Sequence, residues 1–255
     1  MEQFSLTHIF LLLLVGLVAS IINIVAGGGS YLSLPLLIAT GLPAGVANAT
    51  NRVGILAGNI VGSIKFARAG QLKKTDLLYY CLPAAFGGLF GAWIASQADD
   101  RSLRIVLAVL MLFGSWTVIR RPPDKEKMEE PRPKPALSFP LFMGVGAYAG
   151  FIQAGTGFFS LAATGMLGHD LKRGNAIKTL MNACLTVPAL IMFAGNALVN
   201  WKAGAILAIG MSVGSAIGVR LSQESKPEAL KKMVAFAIFI SAVFVLFPLI
   251  KEWMS

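Results

Sequence analysis

Residues 4–26 include no aspartate, glutamate, lysine or arginine, and comparable charge-free stretches recur at 77–97, 179–201 and 233–250. About 20 apolar residues is the length a helix needs to cross roughly 30 Å of hydrocarbon. Water is absent from that layer, so each segment must satisfy its own backbone N–H and C=O groups and is expected to be helical. Composition agrees: 56% of the 255 residues are hydrophobic and 13% charged, and the mean hydropathy of +0.71 lies outside the range of soluble domains. The chain reads as an all-α polytopic membrane protein. Its first apolar run follows Glu2 rather than a basic region and leads into no cleavage site, so it is read as retained and not as a signal peptide.

Ten apolar segments can be drawn, at 4–26, 30–41, 44–66, 76–97, 102–119, 138–154, 158–167, 173–195, 202–221 and 229–250. The second five echo the first. Ala26 to Gly29 (AGGG) answers Ala154 to Gly157 (AGTG), Asn48-Ala49 answers Asn175-Ala176, and Phe66-Ala67 answers Phe193-Ala194. Gly87 and Gly91 answer Gly214 and Gly218, and Leu103-Arg104 answers Leu230-Lys231. One register with a single-residue slip relates all of these, so the chain is expected to be a duplicated unit. Residues 1–120 form the first membrane repeat and 138–255 the second. The four prolines and alternating charges between Arg120 and Pro135 mark 121–137 as a solvated linker.

The net charge of +10 comes mostly from short loops, a pattern of membrane orientation rather than of a nucleic-acid surface. Lys65, Arg68, Lys73 and Lys74 place one loop in the cytoplasm, and the basic linker is there too. In the second half His169 to Arg173 and Arg220 to Lys232 are cytoplasmic, whereas the uncharged GNALVNW is outside. Equivalent loops then face opposite sides, giving an inverted repeat in the inner cell membrane with both termini outside. That topology requires each half to begin with a segment that enters and leaves on one side. About 30 helical residues span only about 45 Å, too short for two crossings. A helix that breaks at the glycines and returns as a half-helix meets the requirement, followed by three transmembrane helices. A full first span followed by an oblique short piece remains the alternative.

All twelve acidic residues fall in loops, termini or helix ends, but Arg52 lies about 12 Å into its helix and Lys178 stands near the equivalent position. A buried cation without a carboxylate is expensive and usually faces a polar pathway, although Lys178 could also snorkel to the interface. Asn48, Thr50, Asn51, Asn175 and Asn182 are polar neighbours on the same two helices. Half-helices starting at Ser30 and Phe158 direct free N–H groups toward the glycines, the arrangement that binds anions. Gly27, Gly28, Gly29, Gly155 and Gly157 allow close backbone approach there, and Ser30, Gln153 and Thr156 add hydrogen-bonding side chains.

The expectation is a substrate site for a small anion. No membrane-embedded carboxylate is available for cation transport or a proton relay. Cys81 and Cys184 read as buried small apolar residues rather than a disulfide or metal pair. His8 and His169 sit near segment ends and no catalytic dyad can be placed, so no enzyme, cofactor or metal is expected. The partners are the lipid bilayer and the anion, with no nucleic acid; a homo-oligomer is left open.

The glycine run and Pro35 within AGGGSYLSLPLL, the Asn-Ala-Thr-Asn segment at 48–51, the glycines at 155–157, and the GLFGAWI and GSAIGVRL segments resemble the sulfite exporter TauE/SafE family, also called the toluene sulfonate uptake permease family. The resemblance covers nearly the whole chain. It implies a carrier for sulfite, thiosulfate or organosulfonates, with export favoured because an inside-negative potential of 100 mV drives each negative charge outward by about 2.3 kcal/mol. An anion channel and a proton-coupled importer of sulfonates or carboxylates are the alternatives. The second half has GTG for GGG and Ala163 where Pro35 stands, so equal use of both hairpins is not implied.

Overall fold

The structure, a computed structural model, describes residues 6–119 and 135–224. The expected segment at 229–250 and the linker at 121–137, apart from its last residues, lie outside these. Among the described residues every regular element is helical: α1 Leu6–Val25, α2 Ser30–Ala39, α3 Ala44–Arg68, α4 Leu82–Gln97, α5 Asp100–Ile119, α6 Pro135–Phe151, α7 Thr156–Met166, α8 Leu171–Gly195 and α9 Trp201–Glu224. A π-helical turn, Leu77–Cys81, runs directly into α4, so the two make one 21-residue apolar span. With α1, α8 and α9, it gives four described helices long and apolar enough to cross a membrane.

Phe10, Leu14 and Val18 form an exposed stripe at four-residue spacing on α1, and Ile209, Val213 and Ile217 form another on α9. In a soluble protein these stripes would be a liability, whereas hydrocarbon matches them. Polar residues are turned inward instead: Asn51, Arg52, Lys178, Thr179 and Thr186 are fully buried. The protein is a multi-pass membrane protein.

Small residues set the packing, because lipid gives helices no hydrophobic reason to associate. On α4 and α6, a Cβ added to Gly87 would lie 2.0 Å from the carbonyl oxygen of Met143, and one added to Gly91 would lie 1.9 Å from that of Ala147. On α9 and α1, Gly210 and Gly214 meet the carbonyls of Leu13 and Leu17 in the same manner. Both seams advance by four residues on each helix in the same sense, so each pair is parallel. Gly54 and Gly62 of α3 meet Leu207 and Ser215, making α3 parallel to α9 as well. Between α3 and α8 the order reverses: Gly62 meets Thr179, while Arg52 lies over Phe193.

The first segment turns back at its glycines. Gly29 packs on the carbonyl of Ala19, and Leu37 shares a core cluster with Leu12, so α2 returns beside α1. The second does the same: Phe159 of α7 packs on Tyr148 of α6, with ring centroids 4.6 Å apart. α1 nonetheless has 20 residues, enough to cross by length alone, so the broken hairpin carries one long arm and one short arm of 10.

Candidate functional site

At the first break Gly27 takes φ 94°, and at the second Gly155 takes φ 73°, a region that L side chains rarely adopt. α2 therefore starts after Gly29 and α7 after Gly155, and neither start has a side-chain cap. α7 begins at Thr156, two residues before the expected Phe158. The Thr156 hydroxyl donates to the Gln153 carbonyl at 2.9 Å, and the Phe158 amide donates to Gly155 at 2.9 Å, which winds the turn early.

The two tips meet backbone to backbone. A Cβ on Gly157 would lie 2.2 Å from the Gly27 Cα, and one on Gly27 would lie 2.7 Å from the Gly157 Cα. Tyr31, one residue into α2, stacks on Phe158 of α7 with centroids 6.2 Å apart, and its hydroxyl sits against Gly155 and donates to the carbonyl of Leu110 at 3.1 Å.

Each buried cation reaches the open C-terminal end of the other half's broken helix. Arg52 Nη2 donates to the Gly150 carbonyl at 2.6 Å, and Asn48 Nδ2 donates to Phe151 at 2.9 Å, closing α6. Lys178 Nζ donates to the carbonyls of Asn23 and Ile24 at 2.7 and 2.9 Å, closing α1, and to Asn175 Oδ1 at 2.8 Å. A cation at a helix C-terminus complements the negative end of the helix dipole, which compensates part of the cost of burying it. The sequence reading of Lys178 as facing a cavity or snorkelling misses this use, because the carbonyls lie some 150 residues away in the chain.

The two cations differ in what they have left. The three Lys178 ammonium hydrogens already have three oxygens. Arg52 keeps Nε and Nη1 buried with no hydrogen-bond partner among the described residues. Its guanidinium carbon lies 4.8 Å from the Phe193 ring centroid, a cation–π contact that fixes its plane without using those N–H groups. Gln153 Nε2 donates to Thr186 Oγ1 at 2.7 Å, and that hydroxyl donates to the Asn182 carbonyl at 2.5 Å. Asn51 Nδ2 reaches Ser30 Oγ at 3.4 Å at the start of α2.

All the expected site residues are buried, the polar ones no more than 4% exposed, so this state is closed to water. The structure brings Ser30, Asn51, Asn48, Arg52, Gln153 and Asn182 around the two breaks. It sends Thr50 elsewhere: its hydroxyl accepts from the Asn200 amide at 2.9 Å, at the entrance to α9. Thr186, Tyr31 and Phe193, the last named in the sequence only as a repeat match, carry parts of the site geometry. Thr186 stands one turn after Asn182, a spacing that could have signalled it.

A second polar cluster ties the loop before α4 to the turn before α8. Arg173 pairs with buried Asp76 at 2.6 Å and also donates to the Gln71 carbonyl. Tyr80 and His169 Nε2 are 2.9 Å apart. Burial holds the His169 pKa below its ordinary value, with Arg173 adding to the effect.

These features belong to a membrane transporter: lipid-facing helices around two broken hairpins and a buried polar interior. The sequence profile of the sulfite exporter TauE/SafE family matches residues 12–245, and the chain belongs to that family. A "Probable membrane transporter protein YfcA" of Escherichia coli K12 is 28% identical over 236 residues, covering 91% of this chain and 86% of its own. A "Probable membrane transporter protein" of Haemophilus influenzae is 27% identical over 236 residues, covering 90% and 91%. A third relative, from Sinorhizobium, is 23% identical over 245 residues and covers 95% and 94%. No solved structure matches the chain.

Proposed function

We propose that the protein carries small sulfur-containing anions, namely sulfite, thiosulfate or organosulfonates, through a site at the meeting point of the two hairpins. The observation that carries this reading is the combination of two uncapped helix starts, at Gly29 and Gly155, with the two unpartnered donors of buried Arg52. Helix N-termini and guanidinium N–H groups are both suited to oxyanions. Glycine at 27 and 157 keeps side chains out of the space between them. Lys178 acts in this reading as a positioning residue, holding α1 so that its tip meets Gly157.

Transport proceeds by alternating access between two inverted repeats, 1–120 and 138–255. Supporting this, Gly88 of α4 meets Leu185 of α8 while Ala95 shares a cluster with Phe193, so α4, α6 and α8 run one way and α1, α3 and α9 the other, and exchanging each helix with its repeat counterpart exchanges the two sets. Loops assigned to the cytoplasmic side by charge also meet, through Asp76 and Arg173. The basic side is cytoplasmic and both termini lie outside. Export is favoured, since 100 mV gives each outgoing charge about 2.3 kcal/mol, roughly a fiftyfold bias.

The test is saturable uptake of sulfite and simple sulfonates by proteoliposomes containing the purified protein. Saturable flux that Arg52→Gln removes, with the variant still folded, supports the reading; flux unaffected by Arg52→Gln removes Arg52 from the site.

A further inference from the structure

We infer that the substrate presents a hydrogen-bond donor together with its negative charge. The inference rests on the anion site proposed above and follows from two amide oxygens whose orientation the structure determines. Asn48 Nδ2 bonds the Phe151 carbonyl at 2.9 Å, and a carbonyl only accepts, so the amide nitrogen must lie there and Oδ1 must point away. Gln153 Nε2 faces Thr186 Oγ1 at 2.7 Å, while the Thr186 hydrogen is spent on the Asn182 carbonyl at 2.5 Å. Thr186 must therefore accept, which fixes Gln153 Oε1 on the far side.

Both oxygens, Asn48 Oδ1 and Gln153 Oε1, are buried without a partner among the described residues, as are Arg52 Nε and Nη1. The three side chains converge on one short stretch of chain: Arg52 on Gly150, Asn48 on Phe151, and Gln153 itself two residues further on. Buried polar atoms left open in this number point to a partner of matching chemistry. A fully deprotonated oxyanion satisfies the guanidinium but sets its oxygens against two more oxygens. A substrate that also donates satisfies both kinds of group. Two sources share that chemistry: a sulfonate with a hydroxyl or ammonium group on its carbon chain, and a singly protonated oxyanion such as hydrogen sulfite.

The probes are 2-hydroxyethanesulfonate and propane-1-sulfonate, which differ by hydroxyl against methyl, and sulfite at pH 6 and pH 8, with binding measured calorimetrically on the purified full chain. Propane-1-sulfonate, which has no titrating proton between those pH values, reports any pH effect of the protein itself. The expected result is a preference of about tenfold or more for the hydroxysulfonate over propane-1-sulfonate, the worth of one buried hydrogen bond. If the donor sits on the oxyanion, the gain appears instead for sulfite at pH 6 over pH 8, beyond any change seen for propane-1-sulfonate. In Gln153→Met the preference shrinks.

Equal binding of the two sulfonates, with no gain for sulfite at pH 6, overturns the inference. If Arg52→Gln still weakens both sulfonates in that case, the anion site stands without the donor requirement. If Arg52→Gln weakens neither, the anion site falls as well, and the inference with it.

Discussion

Arg52 donates from α3 to the carbonyl oxygen of Gly150 on α6 at 2.6 Å, so a side chain of the first half closes the open end of a broken helix in the second. Lys178 returns the arrangement, reaching from α8 to the end of α1. The cations thus hold the two hairpins at the positions where their glycines touch. Their residual capacity differs, and that difference separates binding from positioning.

Substituting the two cations therefore gives different losses. Arg52→Gln lowers saturable flux by at least about a hundredfold, the worth of two charge-assisted hydrogen bonds to the anion. Lys178→Met leaves the carbonyls of Asn23 and Ile24 unpaired and costs about 2 kcal/mol or more of stability. Thermal unfolding in detergent beside flux measurements separates the two, and Lys178→Met with an unchanged melting temperature contradicts the capping role.

Gly157→Ala places a methyl group 2.2 Å from the Gly27 Cα, where backbone and not a flexible side chain must move. The expected outcome is loss of transport with the tips forced apart. Gly165→Ala on the same helix meets nothing within 4 Å and serves as the control, with flux unchanged. Cysteine accessibility at the breaks reports the separation directly.

The Asp76–Arg173 pair is a buried tie between the halves, with side chains 2% and 18% exposed respectively. Arg173→Met removes the charge partner of the Asp76 carboxylate, which keeps the Lys73 amide, and costs about 3 kcal/mol, whereas the double variant Arg173→Met/Asp76→Asn recovers much of that loss. A double-mutant cycle on thermal stability checks this; additive losses contradict the pairing.

His169 gives a pH dependence of defined sign. Its pKa is lower folded than unfolded, so the unfolded chain binds the extra proton more readily. Stability at the turn before α8 is thus full above about pH 6.5 and falls as acid titrates the unfolded form and then the folded one. Protonation also leaves Nε2 able only to donate to the Tyr80 hydroxyl. Protection factors around 169–173, which correct exchange rates for their intrinsic pH dependence, are expected to fall between pH 7.5 and pH 5, and that fall is expected to disappear in His169→Gln.

The local elements were legible in the sequence because each rests on local patterns. The start of α2 at Ser30 follows from three glycines, and the inner face of α3 follows from Asn48, Asn51 and Arg52 at helical spacing. The close seams at Gly87, Gly91, Gly214 and Gly218 follow from small residues one turn apart. Partners far apart in the chain were not legible. Asp76 reads as a solvated loop residue until Arg173, 97 positions away, buries it. Lys178 reads as a free cation until α1 folds its last carbonyls onto it. The amide orientations of Asn48 and Gln153 depend on Phe151 and Thr186, which composition and periodicity do not connect.

The central claim is saturable carriage of an anion through the Gly27–Gly157 junction. Countertransport tests it most directly: proteoliposomes preloaded with unlabelled sulfonate and diluted into labelled sulfonate, with the membrane potential clamped at zero. The account predicts a transient overshoot of label, saturable and abolished in Arg52→Gln. Flux that rises linearly with concentration without overshoot, or an overshoot unchanged in Arg52→Gln, contradicts it.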